Sequence, residues 1–258
     1  MRVVKWLLAL LLLALVLAAV VAWTMPASVA WKLIGPRLPA VQLSDIGGSV
    51  WDGHAGQVSV AGQPLGMLQW QTEAWPLLHG DLSVHAKLVG QPFQASAIVT
   101  RQRDGLIVLH DASATLPGSV LQGTLGIEGL RLEGTLHLQA RQARIRNAWF
   151  VALDASGTWR DAGTSGAAEA HLGNVEMQFT EPSPPTVLGQ IRDDGHGPLL
   201  IRGQLKALPT GYTLEARLRA RNPDDLQTQE ALRYVGQRQP DGSVLLQAGG
   251  QLLLPALP

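Results

Sequence analysis

The 258-residue sequence contains no cysteine. This absence excludes disulfide bonds as a source of stability, and it also excludes thiolate metal ligands and cysteine nucleophiles. The sequence has no net charge either, because 20 lysine and arginine residues balance 20 aspartate and glutamate residues. Nucleic acids favour strongly basic protein surfaces, so we expect no nucleic-acid partner.

Sequence motifs for catalysis are missing as well. None of the seven histidines has a second histidine or a carboxylate at a metal-binding i, i+4 spacing on a predicted helix. Ser49 and Ser156 lie outside any Gly-x-Ser-x-Gly elbow, and Asp193–Gly197 lacks the spacing of a calcium loop. We therefore predict a protein that is not an enzyme and that has no catalytic residue, no metal and no cofactor.

What the sequence does contain is one long apolar run, the 18 residues from Trp6 to Trp23. As a helix this run is about 27 Å long, close to the thickness of a bilayer core. Arg2 and Lys5 precede it, which places the N-terminus in the cytoplasm and exports the remainder. A cleavable signal peptide is the alternative, since Ser28–Ala30 has a small-x-small pattern, but the run exceeds the usual length of a signal peptide core. We predict an uncleaved anchor.

Three segments follow from this reading. Residues 1–25 are the cytoplasmic start and transmembrane anchor, 26–46 are a proline-punctuated linker, and 47–258 are one exported β domain. A short helix between Ser28 and Ile34 either lies along the membrane surface or packs on the domain, and the sequence leaves both possibilities open.

The exported part shows turn-separated stretches of alternating apolar and polar residues from Gly56 to Gln251, and the alternation is strict in Leu82–Leu88. Such alternation predicts short, half-buried antiparallel strands. We expect about a dozen strands in one large sheet, folded over or in two layers. The phase slips at Gln142, which predicts a bulge, and Ala162–Gly166 is read as a flexible break.

One short helix is predicted near the C-terminus. Asn222 is its expected N-cap, Pro223 its first residue and Gly236 its C-terminal cap. A last hairpin is expected, with its turn at Pro240–Gly242 and its strand residues at 244–246 and Leu252–Leu254.

The most distinctive short stretch is Gly47–Gly53. Gly53 is expected to adopt a left-handed turn conformation, and Trp51 is expected to pack back against the following strands. If so, Trp51→Ala lowers the free energy of unfolding by about 3–5 kcal/mol. The structural and interaction candidates of the whole chain are Gly48, Trp51, Asp52, Gly53, Trp70, Gly236 and Gly242.

These features together resemble a known family. The apolar span, Gly48–Gly53, Leu65–Trp70 and the C-terminal order of helix, Gly236, Pro240–Ser243 and strand resemble the N component of the bacterial type II (general) secretion pathway. More distantly, the chain is similar to AsmA-like envelope proteins, whose groove-shaped β sheets handle lipids.

The resemblance implies a single-pass inner-membrane protein with a periplasmic β domain. Its implied partners are other secretion-system subunits at the inner membrane, plus membrane lipid through the anchor, and it implies no catalytic residues. The alternative is an AsmA-like lipid-binding or lipid-transfer protein of the envelope. A carbohydrate-binding module that uses exposed tryptophans is a third class.

Overall fold

The computed structural model describes residues 24–60, 62–122 and 129–251. These residues form fourteen strands with antiparallel pairing and two short α-helices, which confirms the prediction of a mainly antiparallel β protein. The predicted membrane span and the predicted strand residues Leu252–Leu254 lie outside this part of the chain. Among the described residues, no helix is long and apolar enough to cross a membrane.

The chain divides into two compact units, the first ending at Gly90 and the second beginning at Gln91. The segment boundaries expected from the sequence stay predictions. Within each unit most neighbouring strands are antiparallel and joined by short connections, the arrangement that tight turns permit.

The first unit is a four-stranded antiparallel sheet, in which each strand pairs with the next along the chain. Its elements are α1 (Ala27–Ile34), a 3-10 helix (Gly35–Arg37), β1 (Val41–Gly48), β2 (Asp52–Val60), β3 (Gln63–Glu73), a second 3-10 helix (Pro76–His79) and β4 (Leu82–Val89). The stretch 26–46, read from the sequence as a linker, thus carries α1 and most of β1. Val41 and Leu43 alternate with polar residues there, and their strand finds its partner in β2.

Helix α1 packs one face on this sheet. Ala27, Ala30, Trp31 and Ile34 recur at the i, i+3, i+4 and i+7 positions of one helix face, and all four line a cleft against the strands. Leu33 points to solvent instead. The helix expected between Ser28 and Ile34 is therefore confirmed, and it both packs on the sheet through Trp31 and leaves an apolar face exposed.

The second unit carries ten strands, one α-helix and one 3-10 helix among its described residues. They are β5 (Gln94–Arg101), β6 (Ile107–Pro117), a 3-10 helix (Gly118–Leu121), β7 (Leu130–Arg146), β8 (Trp149–Gly166), β9 (Ala170–Ser183), β10 (Thr186–Asp193), β11 (Leu199–Leu208), β12 (Gly211–Ala220), α2 (Leu226–Arg233), β13 (Gln237–Arg238) and β14 (Val244–Gly250). The strands follow chain order up to β12, which pairs with β14, and β14 then pairs with β13.

The core of the second unit lies on one face of these strands. Apolar side chains of β7, β8, β9, β11, β12 and β14 form one buried cluster with Ala231 and Leu232 of α2. Thr228 of the same helix is buried as well, and Val235 just after it packs against the cluster, so these four residues form one apolar stripe. Burial of this stripe, rather than intrinsic propensity, is what stabilises so short a helix.

Two irregular stretches test the reading of strand phase. The predicted bulge is confirmed, because the register of β7 against β8 shifts between Ala140 and Gln142. The flexible break expected at Ala162–Gly166 is wrong, since these residues belong to β8 and Ala162 is 0% exposed. Strands β7 and β9 pair with this stretch from both sides, and the two ladders hold a glycine-rich sequence extended.

The ends of α2 differ from those expected. The N-cap is Asp225, whose side chain accepts a hydrogen bond from the backbone N–H of Thr228, whereas Asn222 accepts from Asp224 in the turn before the helix. The C-cap is Tyr234. Gly236 instead lies against the backbone of Leu245 in β14, where a Cβ atom has no room.

Candidate functional site

The turn between β1 and β2, residues 48–53, is closed by the side chain of Ser49. Its Oγ accepts hydrogen bonds from the backbone N–H groups of Trp51 (3.2 Å) and Asp52 (3.1 Å). The N–H of Ser49 donates to the carbonyl oxygen of Asp52 (2.8 Å). Gly48 supplies the left-handed conformation with a φ of 78°. Asp52 thus contributes its backbone to the turn, and Ser49 is the member that the sequence reading missed, although a serine before a turn is a recognisable signal.

Gly53 is needed for a different reason from the one expected. It has no positive φ, so the expected left-handed turn is wrong. Instead the ring of Trp70 lies directly on it: a Cβ atom added to Gly53 would stand 2.7 Å from Cε2 of Trp70 and 2.6 Å from the carbonyl oxygen of Ser49. Trp70 also donates a hydrogen bond from Nε1 to that carbonyl oxygen (3.3 Å). Trp70 and Gly53 are therefore complementary partners that close the turn.

The turn is also held on both flanks. On one side, Thr72 of β3 donates from Oγ1 to the carbonyl oxygen of Val50 (2.7 Å) and from its backbone N–H to that of Trp51 (2.7 Å). On the other side, the N–H of Val50 donates to the carbonyl oxygen of Met25 (3.1 Å), and Pro26 forms a β-bridge with Ser49. The chain that leaves the apolar run is thereby joined to the sheet at this turn.

Beside the turn lies an apolar cleft of about 390 Å³ in the first unit. It runs between α1 and the sheet, and Trp31, Trp51 and Trp70 all contribute to its wall. Its remaining lining residues are Ala27, Ala30, Ile34, Leu43, Ile46, Val50, Leu68, Thr72, Leu77, Leu82 and Val84. Trp51 is only half-buried here, so it forms part of a cleft wall and not the closed core contact that the sequence suggested.

The acidic side chains of the 193–197 loop in the second unit are hydrogen-bonded to neighbouring protein groups. Asp193 accepts hydrogen bonds from the backbone N–H of Ile201 (2.8 Å) and from the guanidinium of Arg221 (2.5 Å). Burial by itself raises the pKa of Asp193, but the N–H groups of Ile201, Asp193 and Gly195, together with the charge of Arg221, outweigh it and hold the pKa below its ordinary value. The carboxylate thus braces β10 against the start of β11 and the end of β12.

The next residue, Asp194, ties the same loop together. Its carboxylate accepts from the backbone N–H of His196 (2.9 Å) and from the amide of Asn174 (2.8 Å). The bond from His196, followed by the one from Asn174, lowers the pKa of Asp194. Nowhere in 24–60, 62–122 and 129–251 do three or more histidine or acidic side chains converge as a metal site would require.

The remaining two glycine candidates lie around β13 and β14. Gly242, with a φ of 81°, closes the turn before β14, where the backbone N–H and the hydroxyl of Ser243 both donate to Asp241 (3.0 and 2.6 Å). These two bonds from Ser243, with the hydroxyl first, lower the pKa of Asp241. The turn at Pro240–Gly242 is confirmed. Gly236 and Gly242 also line a small pocket of about 270 Å³ beside α2.

The candidates from the sequence therefore fall into two groups. Gly48, Trp51, Asp52, Gly53 and Trp70 converge on the 48–53 turn and its cleft in the first unit. Gly236 and Gly242 lie together in the second unit, at its last hairpin. Met25 and Thr72 complete the first group, and no local sequence signal points to either of them.

One comparison with known proteins gives a match. The family model for the type II secretion system (T2SS), protein N, matches residues 39–247. No curated protein and no solved structure matches the chain. The matched range runs from just before β1 into β14, so it takes in both units.

Proposed function

Because the chain belongs to the type II secretion system protein N family, we propose that it is a non-catalytic subunit of that secretion system at the bacterial inner membrane. Residues 6–23 anchor it as a single span with the N-terminus in the cytoplasm, and both β units lie in the periplasm. The observation that carries the proposal is the family match over 39–247, which spans the strands of both units. The anchor rests on the apolar run, its length and its basic N-terminal flank.

The structure supports a role in interaction through its strand edges. Among the described residues, β1 pairs along its length with β2 alone, and β14 beyond Leu245 pairs only with β12. An edge strand offers unpaired backbone groups to which an extended segment of a partner can add. We propose that other secretion subunits dock in this way while the span holds the sheet at the membrane.

Co-purification tests membership of the apparatus. The full-length protein, tagged at its C-terminus and expressed at native level, is isolated in mild detergent from cells that secrete through this pathway. We expect other secretion-system subunits to be recovered with it. Their reproducible absence, with the tagged protein intact and membrane-bound, contradicts the proposal.

Topology and processing are tested on the same full-length chain. A reporter fused at the C-terminus is expected to be active only if it is of the periplasm-specific kind, and activity of a cytoplasmic reporter overturns the orientation. The mass of the mature protein is expected to include residues 1–30. Cleavage after Ala30 contradicts the anchored reading and favours a soluble binding module.

The apolar cleft favours one second candidate, a lipid-binding role of the AsmA-like kind. Its volume of about 390 Å³ and its largely apolar wall suit a hydrocarbon chain. Native mass spectrometry of the full-length protein is expected to show bound lipid for this candidate. Leu68→Trp fills the cleft, whereas Gln69→Trp places the same ring on the opposite face of β3. Lipid retained equally by both variants contradicts cleft binding.

A further inference from the structure

We infer that the first unit touches the membrane a second time, through a lipid-contacting rim formed by Leu33, Ile34, Trp75 and Leu78. This inference rests on the proposed membrane anchor at 6–23. Leu33 and Ile34 belong to α1, Trp75 is the N-cap of the 3-10 helix Pro76–His79, and Leu78 lies within that helix. Each carries a large apolar side chain that is half exposed or more, with the ring of His79 beside Trp75.

The exposure of the rim is large. Leu33 is 67% exposed, Trp75 74% and Leu78 73%. Large apolar side chains at this level of exposure, clustered rather than scattered, mark interaction sites. Ile34 of α1 and Leu77 of the 3-10 helix Pro76–His79 line the same cleft, so both helices border it and the exposed residues of the rim lie next to these two in sequence.

The short connection between the apolar run and the first unit places the rim next to the bilayer. The apolar run ends at Trp23, and the carbonyl oxygen of Met25 already accepts a hydrogen bond from Val50 in the 48–53 turn. Two residues span at most about 7 Å. Helix α1 then begins at Ala27. If the run crosses the membrane, this connection is too short for the first unit to move away from the bilayer surface.

The chemistry of the rim fits the interfacial zone of a phospholipid bilayer. Tryptophan favours the headgroup boundary, where Trp75 can bury its ring and keep its indole N–H hydrated. Lys32 and Arg37 are exposed beside Leu33 and Ile34, and cations next to an apolar helix face are typical of elements that lie on anionic lipid. A lipid surface therefore matches the rim in position, polarity and charge.

Single-cysteine labelling tests the rim directly, because the natural chain has no cysteine. Leu33→Cys and Leu78→Cys are each labelled with an environment-sensitive fluorophore in the full-length protein. Leu226→Cys is the matched control, since Leu226 is 76% exposed at the start of α2 in the second unit. Each protein is placed in nanodiscs of phosphatidylcholine and phosphatidylglycerol, with or without lipid that carries a spin label near the headgroup.

We expect blue-shifted emission at Leu33 and Leu78 and quenching by spin-labelled lipid at least about twofold stronger than at Leu226. If quenching at Leu33 and Leu78 only equals that at Leu226, in protein that resists carbonate extraction, lipid contact of the rim is contradicted. The membrane anchor at 6–23 is unaffected by that result. A blue shift without quenching means that the rim contacts protein rather than lipid, and it likewise contradicts the inference. Protein removed by carbonate contradicts the anchor and the rim together.

Discussion

Replacing Gly53 by alanine is the sharpest test of how the 48–53 turn is held. The added Cβ would stand 2.7 Å from Cε2 of Trp70 and 2.6 Å from the carbonyl oxygen of Ser49, well inside van der Waals contact. The ring cannot swing away without breaking its hydrogen bond to Ser49. Overpacking costs about 1–3 kcal/mol and a lost hydrogen bond about 0.5–1.5 kcal/mol, so we expect the variant to lose roughly 2–4 kcal/mol.

Hydrogen exchange followed by mass spectrometry measures this loss in the full-length protein. With closing faster than chemical exchange, a loss of 2–4 kcal/mol speeds exchange of protected amides in β2 and β3 by about 30-fold to 1,000-fold. Gly47→Ala is the matched control in the same hairpin. A Cβ there meets the imidazole of His54, which is exposed and free to move, so we expect a change within about 0.5 kcal/mol.

A double-mutant cycle separates the contact from a general effect of alanine in the strand. If the Trp70 ring is the obstacle, Gly53→Ala costs less in the Trp70→Ala background, with a coupling energy of about 1 kcal/mol or more. Equal exchange in Gly53→Ala and Gly47→Ala, or strict additivity with Trp70→Ala, refutes the reasoning. The added Cβ still lies against the carbonyl oxygen of Ser49, so Trp70→Ala is expected to remove only part of the cost of Gly53→Ala.

Three further outcomes follow from the same structure. Trp51→Ala is expected to lower the free energy of unfolding of the first unit by about 1.5–3 kcal/mol, as half-burial in a cleft wall predicts, and a loss of 5 kcal/mol by chemical denaturation contradicts that placement. Asp225→Ala is expected to speed amide exchange in α2 roughly fivefold or more, against little change in Asn222→Ala; equal effects contradict the observed N-cap. The pKa of Asp193 lies below its ordinary value, so its stabilising effect is present above the unfolded pKa of about 3.9 and is lost as pH falls through the folded pKa. Asp193→Asn is therefore expected to be less stable than the wild type at neutral pH, with the difference shrinking below about pH 4 in urea titrations, and a difference that stays constant there contradicts the assignment.

The errors at α2 and β8 show where reasoning from local sequence stops. Asn222 and Asp225 both have side chains that cap helices well, and the choice between them depends on burying Thr228 against the sheet. Ala162–Gly166 has the composition of a loop, but the ladders to β7 and β9 supply its backbone partners. The partners of these residues lie in 130–133 and 170–173, so composition within a five-residue window does not contain them.

The sequence alone determined the class of fold, the strand pattern, the bulge near Gln142 and the family, because alternation and short motifs are local properties. It also determined that cysteine chemistry is excluded. Only the tertiary structure decided that Trp70 lies on Gly53, that Met25 joins the turn, and that three tryptophans line one cleft. The first two contacts join residues 17 and 25 positions apart, and the cleft brings Trp31 to residues 20 and 39 positions further along the chain. Spatial proximity of that kind depends on strand register and twist rather than on any single stretch of residues.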